Sequence, residues 1–127
     1  MPYFYKIDRE HRLVITIGAG VLTKAEVLGL QDRLLADSEF DPSFAQLINL
    51  TEVTGVEGAT APGMQEVTER SLFSLKSRRA VIAKSDLVYG LSRMFQMSRE
   101  LKGEQGLQVF RSLEEALDWI AGNDGPG

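Results

Sequence analysis

Four apolar runs, residues 13–17, 47–50, 80–83 and 107–110, each stop at a polar or glycine-rich joint and are followed by residues at helical spacing. Short apolar runs alternating with helices predict a mainly parallel sheet covered by those helices. Ahead of the first run, Tyr3, Tyr5 and Ile7 alternate with more polar positions, and Asp8-Arg9-Glu10-His11 follows as a charged turn. The chain therefore opens on a hairpin. The expected fold is α/β: a mixed, mainly parallel five-stranded sheet with an N-terminal hairpin and four helices.

The helix signals are specific. Thr23-Lys24-Ala25-Glu26 reads as a capping box, with Val27, Leu28, Leu30, Leu34 and Leu35 on one side of the helix that follows. The stretch 51–61 reads as a long joint leading to Pro62 at a first helical position. Met64, Val67, Ser71 and Leu75 form the expected inner stripe of the second helix, with Phe73 pointing away. Ser85 or Asp86 caps a third helix running to about Leu101. Ser112-Leu113-Glu114-Glu115 is a second capping box, and Gly122-Asn123 can close that last helix in a left-handed conformation. Residues 1–122 are read as one domain and residues 123–127 as a disordered tail.

In the third helix Leu87, Val88, Leu91, Met94, Phe95, Met97, Ser98 and Leu101 cover about half the circumference at 100° per residue. A surface helix needs a stripe of only about 100°. Deep packing, a subunit interface and an apolar ligand pocket all fit this width. Val88, Phe95 and Met97 are the interface candidates, and a homodimer is expected.

Composition narrows the class. The 127 residues suit one domain, and no apolar run approaches the roughly 20 residues of a membrane span. The N-terminus lacks the features of a signal peptide and there is no cysteine, so a cytoplasmic location is expected. Charge is uneven: residues 1–69 hold 5 basic and 11 acidic side chains, whereas residues 70–111 hold 9 and 3. The basic segment could meet an anionic ligand or acidic surface, or be solvated helix faces opposite acidic ones. An acidic domain without recognition motifs is not expected to bind nucleic acid.

Chemical motifs are sparse. Gly18-Ala19-Gly20-Val21-Leu22-Thr23 lies between a strand and a helix, as a dinucleotide fingerprint would, but Thr23 stands in place of the third glycine and no ribose-binding acid follows. A tight turn explains the glycines better. His11 is the only histidine, which removes a Ser-His-Asp relay or a paired-histidine metal site. Asp37, Glu39 and Asp41 lack the spacing of a calcium loop. No catalytic constellation is complete, so no enzyme activity and no cofactor are expected, although a carboxylate mechanism stays open.

The joints after parallel strands are where open sheets gather ligands. Thr54, Glu57, Thr60, Asp86 and Tyr89 are the binding candidates on these grounds, and Arg93 is a further one as a cation beside the apolar side of the third helix.

Several segments together resemble the SpoIIAA-like proteins, short bacterial relatives of the STAS domain. They are Gly20-Val21-Leu22-Thr23, the strand at 47–50 running into Thr51-Glu52-Val53, Gly90-Leu91-Ser92-Arg93-Met94-Phe95, and the stretch from Val109 to Ile120. The resemblance spans residues 3–121 and implies regulation by binding a protein partner instead of catalysis. STAS proteins carry a phosphorylated serine in an Asp-Ser-Ser-Gly turn. Here Glu57-Gly58-Ala59-Thr60 occupies that place, so the resemblance implies that the standard switch is missing. The related Sec14-type lipid domains are far longer. The alternative function is a binder of a small apolar or acyl-type anion, held by the third helix beside Arg93 and Arg99.

Overall fold

The computed structural model describes residues 3–58 and 61–122, with residues 61–64 as backbone only. The expectations for Ala59 and Thr60, for the side chains of Pro62 and Met64, for Asn123 and for the tail lie outside these.

Strands β1 (Tyr3–Asp8) and β2 (Leu13–Thr23) form the antiparallel hairpin, then come β3 (Ala45–Glu57), β4 (Arg79–Ile82) and β5 (Leu107–Phe110). They lie in sheet order β1-β2-β3-β4-β5, with β2 to β5 parallel. Helices α1 (Lys24–Ala36), α2 (Ala61–Glu69) and α3 (Asp86–Leu101) make the crossovers, and α4 (Leu113–Ile120) follows the last strand. Because every crossover advances the same way across the sheet and such connections are right-handed, α1, α2 and α3 share one face. The other face receives α4 against β3, β4 and β5. Leu47, Ala80 and Ile82 pack under α4 with Ala116, while Ile48, Val81 and Val109 pack under Phe95 on the opposite side.

The hairpin turn has a local cause. The Asp8 carboxylate accepts from the His11 amide at 3.1 Å and meets its Nδ1 at 2.8 Å. These bonds hold Asp8 below the usual carboxylate range, and the same contact raises His11. The first capping box is complete: Glu26 N–H donates to Thr23 Oγ1 and the Glu26 carboxylate accepts from Thr23 N–H, each at 3.1 Å. At α4, Ser112 Oγ accepts from Glu115 N–H at 3.2 Å. Gly122 follows the Ala121 cap with φ of 92°.

Three expectations need correction. The glycine run and the long joint are strand: β2 and β3 stay paired from Ala19↔Glu52 to Thr23↔Glu57, with register shifts around Gly18 and Gly20. The β-branched Thr51, Val53, Thr54 and Val56 favour this extension. Gly18 is there for close approach, since a Cβ would meet Val53 Cγ2 at 3.0 Å and Tyr3 Cδ1 at 3.1 Å. Second, α2 stops at Glu69, so helical periodicity does not apply beyond it. Phe73 is buried edge-on to Phe40, with centroids 5.1 Å apart, while Leu75 is exposed. Third, α3 turns a different side to the sheet. Its buried residues are Val88, Ser92, Gln96 and Arg99, whereas Leu87, Met94, Met97 and Leu101 are 58%, 45%, 50% and 90% exposed.

Candidate functional site

The unexpected orientation of α3 is explained by what lies beneath it. Strand register places Val14, Gln46, Arg79 and Leu107 in one row across the sheet, on the face covered by α1 to α3. From that row a chain of buried polar groups runs sideways. Gln46 Nε2 donates to Thr16 Oγ1 at 3.0 Å, and Arg79 Nε donates to Gln46 Oε1 at 3.0 Å. Arg79 Nη1 donates to Glu104 Oε2 at 2.7 Å, and Arg99 Nε donates to Glu104 Oε1 at 2.8 Å. Arg99 also ties down the last turn of α2 and the segment after it, donating from Nη1 to the Thr68 carbonyl and from Nη2 to Ser71 Oγ, each at 2.7 Å.

A guanidinium as deeply buried as Arg99, 1% exposed, must be paired to be tolerated. Glu104 supplies the charge, and the loop holding it is set by Gly103 at φ of 93° and by Glu104 N–H bonding the Arg99 carbonyl at 3.1 Å. Satisfying Arg99 rotates α3 so that its polar stripe faces inward and its most apolar stripe outward. The network holds two guanidiniums and one carboxylate. Burial lowers the Arg79 pKa, opposed by Glu104, and an arginine keeps its proton in such a setting.

Beside this network lies a cavity of about 120 Å³ between the sheet and the three helices. Its walls are mostly apolar: Leu30 from α1, Val67 from α2, Val88 and Phe95 from α3, Ile48 and Val81 from the sheet. Polar groups enter at a few points. Arg79 lines it, its guanidinium carbon 4.7 Å from the Phe73 ring centroid and 5.9 Å from that of Phe95. Tyr3 lines it too, its hydroxyl pKa pushed up to about 12 by burial, against the pull of Arg79. Gln31 Oε1 is buried with no hydrogen-bond partner among the described residues. The helix α2 packs chiefly on α1 and α3, and exposed ion pairs Lys24–Glu66 at 2.9 Å and Arg70–Asp32 at 2.6 Å fasten it to α1.

The sequence-derived candidates scatter around this site. Glu57, Val88 and Phe95 line the cavity. At 1% exposure Val88 is core, so it is not available to a second subunit, and half-buried Phe95 packs on the sheet beside it. Met97 alone of the three interface candidates faces outward. Asp86 and Tyr89 meet each other through Arg111, which donates to the Asp86 carboxylate at 2.8 Å and lies 4.3 Å over the Tyr89 ring. Thr54 is exposed on β3, and Arg93 is exposed on α3 with a 2.8 Å bond to Gln96. Thr60 lies outside the described residues.

The basic segment is not one surface patch either: Arg79 and Arg99 are buried, and Arg70 and Arg111 are paired. Arg78 lies 4.2 Å over the Trp119 ring and donates to its carbonyl.

Thr16, Gln31, Gln46 and Glu104 were not among the candidates, and Arg79 entered only as one of the cations of the basic segment. One signal was present: Thr16 and Gln46 share strand parity with Val14 and Ile48, placing polar groups on an apolar face.

No protein-family model matches the sequence, and no curated protein matches it. The structure matches the crystal structure of an uncharacterised protein of the DUF3478 family with a SpoIIAA-like fold, from Shewanella loihica PV-4. The TM-score is 0.60 at 19% identity, covering 93% of this chain and 91% of that one. The fold is thus SpoIIAA-like, in agreement with the resemblance of the sequence. Among the described residues no helix is long and apolar enough to cross a membrane.

Proposed function

We propose that this chain is a noncatalytic, cytoplasmic binding domain whose cavity takes the apolar end of a small acyl-type ligand. One observation supports the reading above others: an apolar cavity about 120 Å³ in volume lies between the sheet and α1 to α3. An apolar cavity of about 150 Å³ takes a benzene-sized guest, so the space suits a chain of about four to six carbons and excludes a whole long-chain lipid.

The test is calorimetric titration with straight-chain acids and alcohols of increasing length. Each buried methylene contributes about 0.8 kcal/mol, so affinity should rise about fourfold per carbon until the cavity is full near six carbons. Filling the space with Leu91→Trp, at a half-buried lining position, should abolish binding while circular dichroism stays unchanged. Absence of saturable binding by either series, or affinity that climbs without a break to twelve carbons, would overturn the reading.

A second reading draws on the outer stripe of α3, where Leu87, Met94, Met97 and Leu101 are all exposed. Such a stripe fits contact with a second copy of the chain, which would make the protein a homodimer able to present a surface to a regulatory partner. Met94→Glu should then convert a dimer to folded monomer by light scattering. A wild-type protein that is monomeric at high concentration contradicts this reading.

A further inference from the structure

Two polar demands are left unmet at the cavity wall, and they are of opposite kind. The first is a surplus cation. Arg99 is fully engaged: its Nε, Nη1 and Nη2 bond Glu104, Thr68 and Ser71, and it is 1% exposed. Arg79 is not. Its Nε is used on Gln46 and its Nη1 on Glu104, while Nη2 has no hydrogen-bond partner among the described residues. Since one carboxylate serves two guanidiniums, the uncompensated charge belongs to the arginine that borders the cavity. The rings of Phe73 and Phe95, 4.7 and 5.9 Å from the guanidinium carbon, favour a cation yet supply no counter-charge.

The second demand is an acceptor without a donor. Gln31 lines the same cavity from α1, and its Oε1 is buried without a partner among the described residues. Buried polar atoms of native proteins are almost always satisfied, so an orphan at the wall of a ligand-sized cavity points to a donor on the ligand.

Resting on the cavity as a ligand site, we infer that Arg79 and Gln31 read the polar end of the guest. The ligand is a short-chain carboxylic acid that also carries a hydroxyl or amide N–H. Its carboxylate faces Arg79 Nη2, and its hydroxyl or N–H donates to Gln31 Oε1. A carboxylate is the anion that fits a space this small together with several carbons. Charge balance gives the assignment its specificity, because a bound monoanion brings the group of two arginines, one glutamate and ligand to neutrality.

The probes are hexanoate, 3-hydroxyhexanoate and hexan-1-ol, titrated calorimetrically against the full chain. The expected order is 3-hydroxyhexanoate tightest, then hexanoate, then hexanol, with at least about tenfold between acid and alcohol, since bonds to charged groups are the stronger ones. Arg79→Met leaves Glu104 matched one-to-one with Arg99 and should remove the preference for acid over alcohol. Gln31→Leu should remove the preference for the hydroxy acid over hexanoate.

Equal affinity of wild type for hexanol and hexanoate overturns the role of Arg79 while leaving the apolar site standing. Equal affinity for the two acids overturns the role of Gln31. Failure of all three probes to bind overturns the ligand site itself. The wild-type comparisons decide the matter even where Arg79→Met does not fold.

Discussion

Replacing Glu104 with glutamine is expected to lower stability by about 3–5 kcal/mol, the cost of stripping one partner from a buried ion pair. Glu104 is 4% exposed, and its two oxygens each hold a different guanidinium. The glutamine side chain has the same shape but no charge, and its amide nitrogen would face an arginine that can only donate. For a domain of this size the loss corresponds to a fall in melting temperature of about 10–20 °C. Asp86→Asn makes the control, since Asp86 also pairs with an arginine but its side chain is 96% exposed. Exposed pairs contribute about 0–1 kcal/mol. Thermal unfolding of the two variants should therefore differ sharply. Similar melting temperatures would show that the network contributes little and that another cause orients α3.

Gly106→Ala is expected to be nearly as damaging for a steric reason. A Cβ at this position would fall 1.9 Å from the Ser77 carbonyl oxygen and 2.7 Å from its carbon. Both are backbone atoms, so no rotamer change can relieve the clash, and the chain itself must move. The Gly106 carbonyl accepts from Arg79 N–H at 2.8 Å and from Trp119 Nε1 at 2.9 Å. Displacing it strains the β4–β5 pairing and the seat of α4, and shifts the loop that carries Glu104. Overpacking in a tight core costs about 1–3 kcal/mol and occasionally more, and a backbone clash belongs at the top of that range. Denaturant unfolding that gives Gly106→Ala a stability within about 0.5 kcal/mol of wild type, the size of effect seen for neutral surface changes, would contradict this packing.

Element order and most boundaries were legible because they depend on local chemistry. The capping residues Thr23, Ser85 and Ser112 each accept the expected amide proton, and the alternation of Tyr3, Tyr5 and Ile7 marks β1. What was not legible depends on partners distant in sequence. Periodicity alone assigns the apolar side of α3 to the interior, and no local rule reveals that Arg99 must meet Glu104 and, through it, Arg79 on β4. Likewise Gly18 and Gly20 resemble a turn until β3 is seen to pair alongside them to Glu57. Phe73 was misplaced because a helical period was extended past the end of α2.

The candidate site was less legible than the fold. An apolar pocket was one of the readings of the third helix that carries Val88 and Phe95, but Glu57 was singled out only as part of a joint, and Arg79 only as one of the cations of the basic segment. Gln31 gave no signal, since a glutamine at a helical position is ordinary until its environment is known. The cavity arises where α2, α1 and α3 meet over the sheet, and that meeting is a property of packing, with no counterpart in any one segment.

The most direct measurement is methyl-resolved NMR of the full chain titrated with hexanoate. Leu30, Val67 and Val88 line the cavity, whereas Leu87, Met94, Met97 and Leu101 lie on the outer side of α3. Saturable shifts concentrated on Leu30, Val67 and Val88, with the outer methyls unmoved, are the predicted result. Shifts confined to Leu87, Met94, Met97 and Leu101 would contradict it, placing the binding surface of this domain outside its core.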